Sequence, residues 1–317
     1  MSTNDVAVSV QNLEKKFGDF TAVNRINFEV KGGEIFGFLG PNGAGKSTTI
    51  RMLCGIISPT SGSGRVGGFD IIKEQSKIKE HIGYMSQKFS LYNDLTVEEN
   101  INFYSGIYRI PEGERKSRVE EIVKTAGLEG MESKLTVTLA GGWKQRLALG
   151  CALIHRPRII FIDEPTSGVD PITRNNFWDI IKGLAKNGAT IFVTTHYMDE
   201  AENCDRMTLI YKGTIIAMGT PEEMKTKFMK SEVIQIVAPE AEELIDKISA
   251  VKGVEEAALF GSAIHAVTPD AKAAAPLIKA MLAKEGFKDC KINKIKPTLE
   301  DVFVSAIEDY DKEHKET

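Results

Sequence analysis

The sequence predicts an α/β fold that carries a helical insertion and a second, smaller α+β domain, and three observations support it. Uninterrupted apolar runs, the mark of strands buried on both faces, occur at EIFGFLG (34–40), RIIFIDE (158–164) and TIFVTTH (190–196). Helical patterns separate them, as in NNFWDIIKGLAKNG (175–188), which closes at Gly188. Beyond about residue 230 the order changes to strand, helix, strand, strand, helix, strand in VIQIVA, AEELIDKISAV, EEAALF, AIHAV, AAAPLIKAMLAKEG and CKINKI, followed by a helix at TLEDVFVSAIED. That order is ferredoxin-like.

Taken from the start, residues 6–39 read as strands: Ile26, Phe28 and Val30 alternate with Asn27 and Glu29, and Gly32-Gly33 turns the chain into the first buried run. A helix is expected from Lys46. Residues 85–157 are mainly helical, with a break at Pro111 and Gly113, and form the insertion. The expected boundaries are therefore 1–229 for the first domain, with its helical part at about 85–157, then 230–310, and a flexible, solvated tail at 311–317.

At 317 residues the chain is long enough for two domains. Forty Lys and Arg against 44 Asp and Glu leave a net charge of −4, which argues against nucleic acid as a partner. Cys54, Cys151, Cys204 and Cys290 are scattered without metal-ligand spacing, which fits a reducing, cytoplasmic setting. The first residues lack the pattern of a signal peptide, and no stretch approaches 18 uninterrupted apolar residues. Work at a membrane would need another chain to span it.

Two segments carry chemistry. Gly40-Pro41-Asn42-Gly43-Ala44-Gly45-Lys46-Ser47 satisfies G-x-x-x-x-G-K-S/T between a buried strand and a helix start. Phosphates need closely spaced amide donors, which glycines allow, and a helix N-terminus favours negative charge. Lys46 can reach the β- and γ-phosphates, Ser47 offers a hydroxyl to Mg2+, and Thr48 lies beside it. The second segment, ending the run 158–164, supplies Asp163 to hold Mg2+ through water and Glu164 to polarise the attacking water.

With these pieces in this order, residues 6–225 resemble the ATP-binding subunit of an ATP-binding cassette (ABC) transporter, a P-loop NTPase. The resemblance implies that Phe17 stacks on adenine, that Gln87 touches Mg2+ and the attacking water, and that His196 hydrogen-bonds the γ-phosphate. It also implies that Ser167-Gly168-Val169-Asp170 is a dimer-facing loop, and that Phe89, Leu91, Tyr92 and Leu95 adjoin a groove for a membrane subunit. The family's signature, normally L-S-G-G-Q, reads Leu139-Ala140-Gly141-Gly142-Trp143. Gly141 and Gly142 keep backbone donors for an ATP held by a facing subunit, while the serine hydroxyl is missing at Ala140.

The implied protein is an ATPase using ATP and Mg2+. Its implied partners are a second ATP-binding subunit, in a homo- or heterodimer, and integral-membrane permease subunits on separate chains. It would sit peripherally on the cytoplasmic face of the inner membrane. The tail, with Pro297-Thr298-Leu299-Glu300-Asp301-Val302-Phe303, resembles the extension of bacterial and archaeal drug and antibiotic exporter ATPases, which points to export. The competing readings are a regulatory half with weak hydrolysis, prompted by Ala140 and Trp143, and a non-transport ABC ATPase.

Overall fold

Two 12-residue strands, β1 (Val6–Phe17) and β2 (Phe20–Lys31), open the computed structural model, which describes residues 6–315 except 89, 230, 240, 288 and 289. They pair antiparallel, with Val10 opposite Phe28. After β3 (Ile35–Leu39) and α1 (Lys46–Leu53), β4 (Ser61–Val66) and β5 (Phe69–Asp70) complete a sheet of order β2-β1-β4-β5.

The chain then runs through α2 (Gln75–His81) and β6 (Ile82–Met85) into the helices α3 (Val97–Ile107), α4 (Glu112–Thr125) and α5 (Gly141–Leu153). It returns as β7 (Ile159–Asp163), α6 (Pro171–Lys186), β8 (Thr190–Thr195), α7 (Met198–Ala201), β9 (Arg206–Tyr211) and β10 (Thr214–Gly219). The second sheet has the order β10-β9-β3-β8-β7-β6, parallel except for the antiparallel pair β9–β10. Strands buried on both faces explain the continuous apolar runs.

One side of this sheet meets the first sheet and α1: Phe28 of β2 lies 6.0 Å from Phe192 between ring centroids, within a cluster that includes Phe36, Phe38, Phe161 and Ile50 of α1. The other side packs Ile160, Ile162 and Val193 with Phe177, Trp178 and Ile181 of α6. The insertion starts from a reciprocal cap, in which Thr96 accepts from the Glu99 amide and Glu99 accepts from the Thr96 amide. Ile101, Ile122, Val123 and Leu147 then join α3, α4 and α5.

The chain divides into two units, Met1–Thr220 and Pro221–Thr317, a boundary nine residues before the one expected at 229/230. The reason is local: after β10, the turn α8 (Pro221–Glu223) leads into a π-helical turn at Met224–Phe228 that packs on the last helix of the second unit. This unit follows as β11 (Glu232–Val237), α9 (Ala241–Ser249), β12 (Glu256–Phe260), β13 (Ala263–Thr268), α10 (Ala271–Lys284), β14 (Lys291–Ile295) and α11 (Leu299–Lys315). Its sheet is antiparallel in the order β12-β13-β11-β14, with Ile234, Ile236, Ile264, Leu244, Ile248 and Ile278 in the core.

Helix α11 continues to Lys315, so the expected tail from 311 is helical over that length, and residues 316–317 lie outside those described. Helical spacing of acids and bases accounts for it, as in the Glu308–Lys312 pair.

On β12, burial and then the neighbouring Glu308 push the Glu256 carboxyl from its ordinary 4.5 up to about 7. A folded-state pKa above the unfolded value means that this group favours folding most below about pH 4.5 and that the benefit is lost as the pH rises through 7. Glu256→Gln is therefore expected to slow amide exchange in β12 and α11 at pH 8, with a smaller effect at pH 5. Equal effects at both pH values would contradict this.

Candidate active site

Strand β3 delivers the chain into a loop whose glycines are required by space. A Cβ at Gly40 would lie 2.2 Å from the Ile210 carbonyl oxygen, and one at Gly45 would lie 2.4 Å from that of Ala22. Gly45 also takes a left-handed φ of 107° as the residue capping α1, which has no side-chain cap. The first amides of α1 therefore face the loop as a site suited to an anion. Lys46 is buried: its ammonium donates to the carbonyls of Gly40 at 2.8 Å and Pro41 at 3.1 Å, and pairs with Glu164 Oε1 at 2.9 Å.

The acid pair leaves the end of β7 next to this loop. Ser47 Oγ donates to Asp163 Oδ1 at 3.1 Å, and Thr194 Oγ1 donates to the same oxygen at 2.7 Å. Burial pushes the Asp163 carboxyl above the usual carboxylate range, while the hydrogen bonds from Thr194 and Ser47 pull it down. Glu164 sits in the left-handed region at φ 47°, strained for a residue with a side chain, and its amide is held by Thr194 Oγ1 at 3.0 Å. Gln87 Nε2 donates to Glu164 Oε2 at 3.0 Å, and His196 Nδ1 stands 3.5 Å from that oxygen.

Asn42, Gly43, Gly45, Lys46, Ser47, Thr48, Gln87 and Glu164 line one cleft together with Phe17 and Phe20. The two phenylalanines oppose each other across the β1–β2 hairpin and are 52% and 63% exposed, and the Lys15 ammonium lies 5.1 Å from the Phe17 ring centre. Apolar rings left this open to solvent are available to a flat ligand. The donor set fits a magnesium nucleotide: amides and an ammonium for phosphates, and oxygen ligands at Ser47 and Asp163 for a hard cation.

The signature residues lie elsewhere. Ala140, Gly141, Gly142 and Asp170 line a separate depression with Trp143 and Thr173, and Leu139 is buried beside it. Ala140 caps α5 without a side-chain hydrogen bond. Asp170 Oδ1 accepts the Thr173 amide at 3.0 Å as the cap of α6, and its hydrogen bonds to Thr173 hold the carboxyl below its usual range. Trp143 carries Arg146 over its ring at 5.1 Å, and Arg146 reaches the Gly127 carbonyl at 3.2 Å. A Cβ at Gly142 would lie 2.2 Å from Thr173 Cγ2, whereas nothing lies within 4 Å of one at Gly141.

Leu91 joins Tyr104, Tyr108 and Cys151 around an apolar groove, while Tyr92 packs edge-on against Phe103 at 4.6 Å. Phe89 lies outside the described residues. Sequence reasoning missed Thr194, Phe20 and Ala22. The polar pair Thr194-Thr195 closing the apolar run Ile191–Val193 was the available signal for the first of these.

The comparisons agree with this architecture. A family model described as ABC transporter matches residues 23–167. The chain is 33% identical over 304 residues to the Nod factor export ATP-binding protein I of Rhizobium leguminosarum bv. viciae, covering 96% of this chain and 95% of that protein. It belongs to the family of ABC transporter ATP-binding proteins.

It is also 50% identical over 228 residues to the probable multidrug ABC transporter ATP-binding protein YbhF of Escherichia coli (strain K12), covering 72% of this chain and 39% of that one. The chain thus matches about two fifths of the length of that relative. Among solved structures, the dimeric post-hydrolysis state of the ATP-binding cassette MJ0796 bound to ADP and Pi aligns with a TM-score of 0.62 at 29% identity, covering 67% of this chain and 98% of that one.

Thr194→Val preserves shape while removing the donor to Asp163 and an acceptor for the Glu164 amide. A hydrogen bond to a charged group is worth about 1.5–3 kcal/mol, so urea unfolding is expected to show a loss of that order. Unchanged stability would mean that the bond contributes nothing net.

Proposed function

We propose that this chain is the ATP-hydrolysing subunit of an ABC exporter, acting as a dimer on separate permease subunits. The convergence of Lys46, Gln87 and His196 on Glu164, beside the Ser47–Asp163 pair, is the observation that carries this reading. In the proposed reaction a water oxygen bonds to the γ-phosphorus, the β–γ bridging bond breaks with its electrons going to ADP, and Glu164 accepts a proton from the water. Phe17, with Phe20 next to it, holds the base, and the amides of residues 40–48 hold the phosphates.

In the structure Lys46 neutralises Glu164. Phosphates compete for the same ammonium, and its transfer to them leaves Glu164 able to accept the proton. His196 and Gln87 then orient water and phosphate. Ser47 and Asp163, with Gln87, would hold Mg2+, whose contribution is to offset negative charge on the phosphates.

Because the signature residues line a separate depression, they are suited to nucleotide held by a second copy or a homologous subunit, with Leu139 to Gly142 and Asp170 at the join. ATP contacting both faces favours the closed dimer, and hydrolysis removes that bridge. No helix among the described residues is long and apolar enough to cross a membrane, consistent with a peripheral place on the cytoplasmic side of permease subunits. The groove at Leu91, Tyr104 and Tyr108 is the proposed seat of the permease. Export rests on the tail and on relatives named for multidrug transport and Nod factor export. The second unit, 221–317, is proposed to be an accessory that regulates the dimer.

Glu164→Gln should leave MgATP binding intact, slow turnover by about 100-fold or more and trap a dimer visible by light scattering. Turnover within a few-fold of the wild type would remove Glu164 from the base role. Ala140→Ser restores a hydroxyl at the α5 cap, and steady-state phosphate release is expected to rise by up to about tenfold. Wild-type release no greater than that of Glu164→Gln would instead mark a regulatory half.

A further inference from the structure

The segments that follow the acid pair and β8 are joined by a buried cluster that the proposed chemistry leaves unused. Glu200 and Thr166 are each 1% exposed, and the Thr166 hydroxyl donates to Glu200 Oε1. Arg174, on the first turn of α6, places Nε 3.5 Å from that oxygen and donates from Nη1 to Asp199 Oδ2 at 3.1 Å. Its Cζ lies over the Tyr197 ring, 4.2 Å from the ring centre, and that ring lies 4.1 Å from the His196 imidazole between centres.

A carboxylate buried as deeply as Glu200 is costly to desolvate, and Asp199, largely exposed, contributes little as an ion-pair partner. What the cluster does provide is geometry. A planar guanidinium can stack on an aromatic face while its edge meets carboxylates, a combination an ammonium cannot reproduce.

We propose that Arg174 is a positioning residue for His196. Held by its hydrogen bond to Asp199 and its ion pair with Glu200, it fixes the Tyr197 ring, and that ring sets the imidazole opposite Glu164. Through Thr166 the Glu200 carboxylate anchors the loop that leaves Glu164, so one clamp registers both segments. The inference rests on the reading of His196 given above.

The test uses the full chain and two readouts, steady-state MgATP turnover and the Cε1–H resonance of His196, identified by its loss in His196→Ala. Arg174→Lys is expected to lower kcat about tenfold, with KM and MgATP affinity within twofold, since small misplacements of reacting groups cost factors of this size. It should also move the His196 resonance toward that of a solvated imidazole as the ring current of Tyr197 is lost. Tyr197→Leu should reproduce both changes, and Tyr197→Phe should restore most of the turnover.

Lower turnover with an unmoved His196 resonance, or a moved resonance with wild-type turnover, overturns the proposal. So does a loss of MgATP affinity equal to the loss in kcat, which a general structural role would produce. If His196→Ala itself turns over like the wild type, the reading of His196 fails. If His196→Ala is impaired and Arg174→Lys is not, only the clamp fails.

Discussion

The register between three parallel strands is the constraint on which the rest of the site depends. Phe38 pairs with Thr194, Leu39 with Thr195, and Asp163 also pairs with Thr194, so β3, β7 and β8 end at one level. The phosphate loop, the acid pair and His196 each begin where one of these strands stops, which brings Ser47 to Asp163 and Lys46 to Glu164, residues more than 100 positions apart, within hydrogen-bond reach. Ligand sites in open α/β sheets lie at the carboxyl ends of strands for this reason. A slip of one residue would reverse every side chain of the slipped strand and separate Thr194 from Asp163.

Holding that register costs buried charge. Lys46, Asp163 and Glu164 are all buried, and each is compensated locally rather than by solvent. Lys46 has two carbonyls and a carboxylate around its ammonium, Asp163 has two hydroxyls, and Glu164 has an amide, an ammonium and an imidazole nearby. Removing any one partner leaves an uncompensated group in a region of low polarity, where the penalty is several-fold larger than at the surface. Such a site holds together as a set, and a ligand bringing its own charge would compete for the same partners.

Much of the fold was legible from pattern and order: buried strands as unbroken apolar runs, the insertion as a mainly helical stretch, the second unit as a strand and helix order that recurs in the structure as βαββαβα. The glycines at 40 and 45 were legible as a motif, and the close approaches of Ile210 and Ala22 now give the physical reason for each. Contacts made by residues with no unusual spacing were not legible. Thr194, Arg174 and Glu200 acquire their partners only when strands and helices distant in sequence are brought together. The boundary lies after Thr220 rather than at 229/230 because the turn at Met224–Phe228 packs on α11, a contact between segments that no local pattern in 221–229 announces. At Asp170, sequence resemblance pointed outward to a dimer loop, and the carboxylate also serves its own helix as a cap.

The closeness of Gly142 to Thr173 also bears on how the signature segment can be altered by design or drift. A side chain at 142 would press on the Thr173 side chain of α6, whereas one at 141 would meet nothing within this chain. Positions 140 and 143 already carry Ala and Trp in place of Ser and Gln. A larger residue at 142 therefore requires Thr173 to turn its side chain or to be shortened with it. A library built to retune how tightly two such subunits engage should vary 142 together with 173, and can vary 140 and 143 on their own.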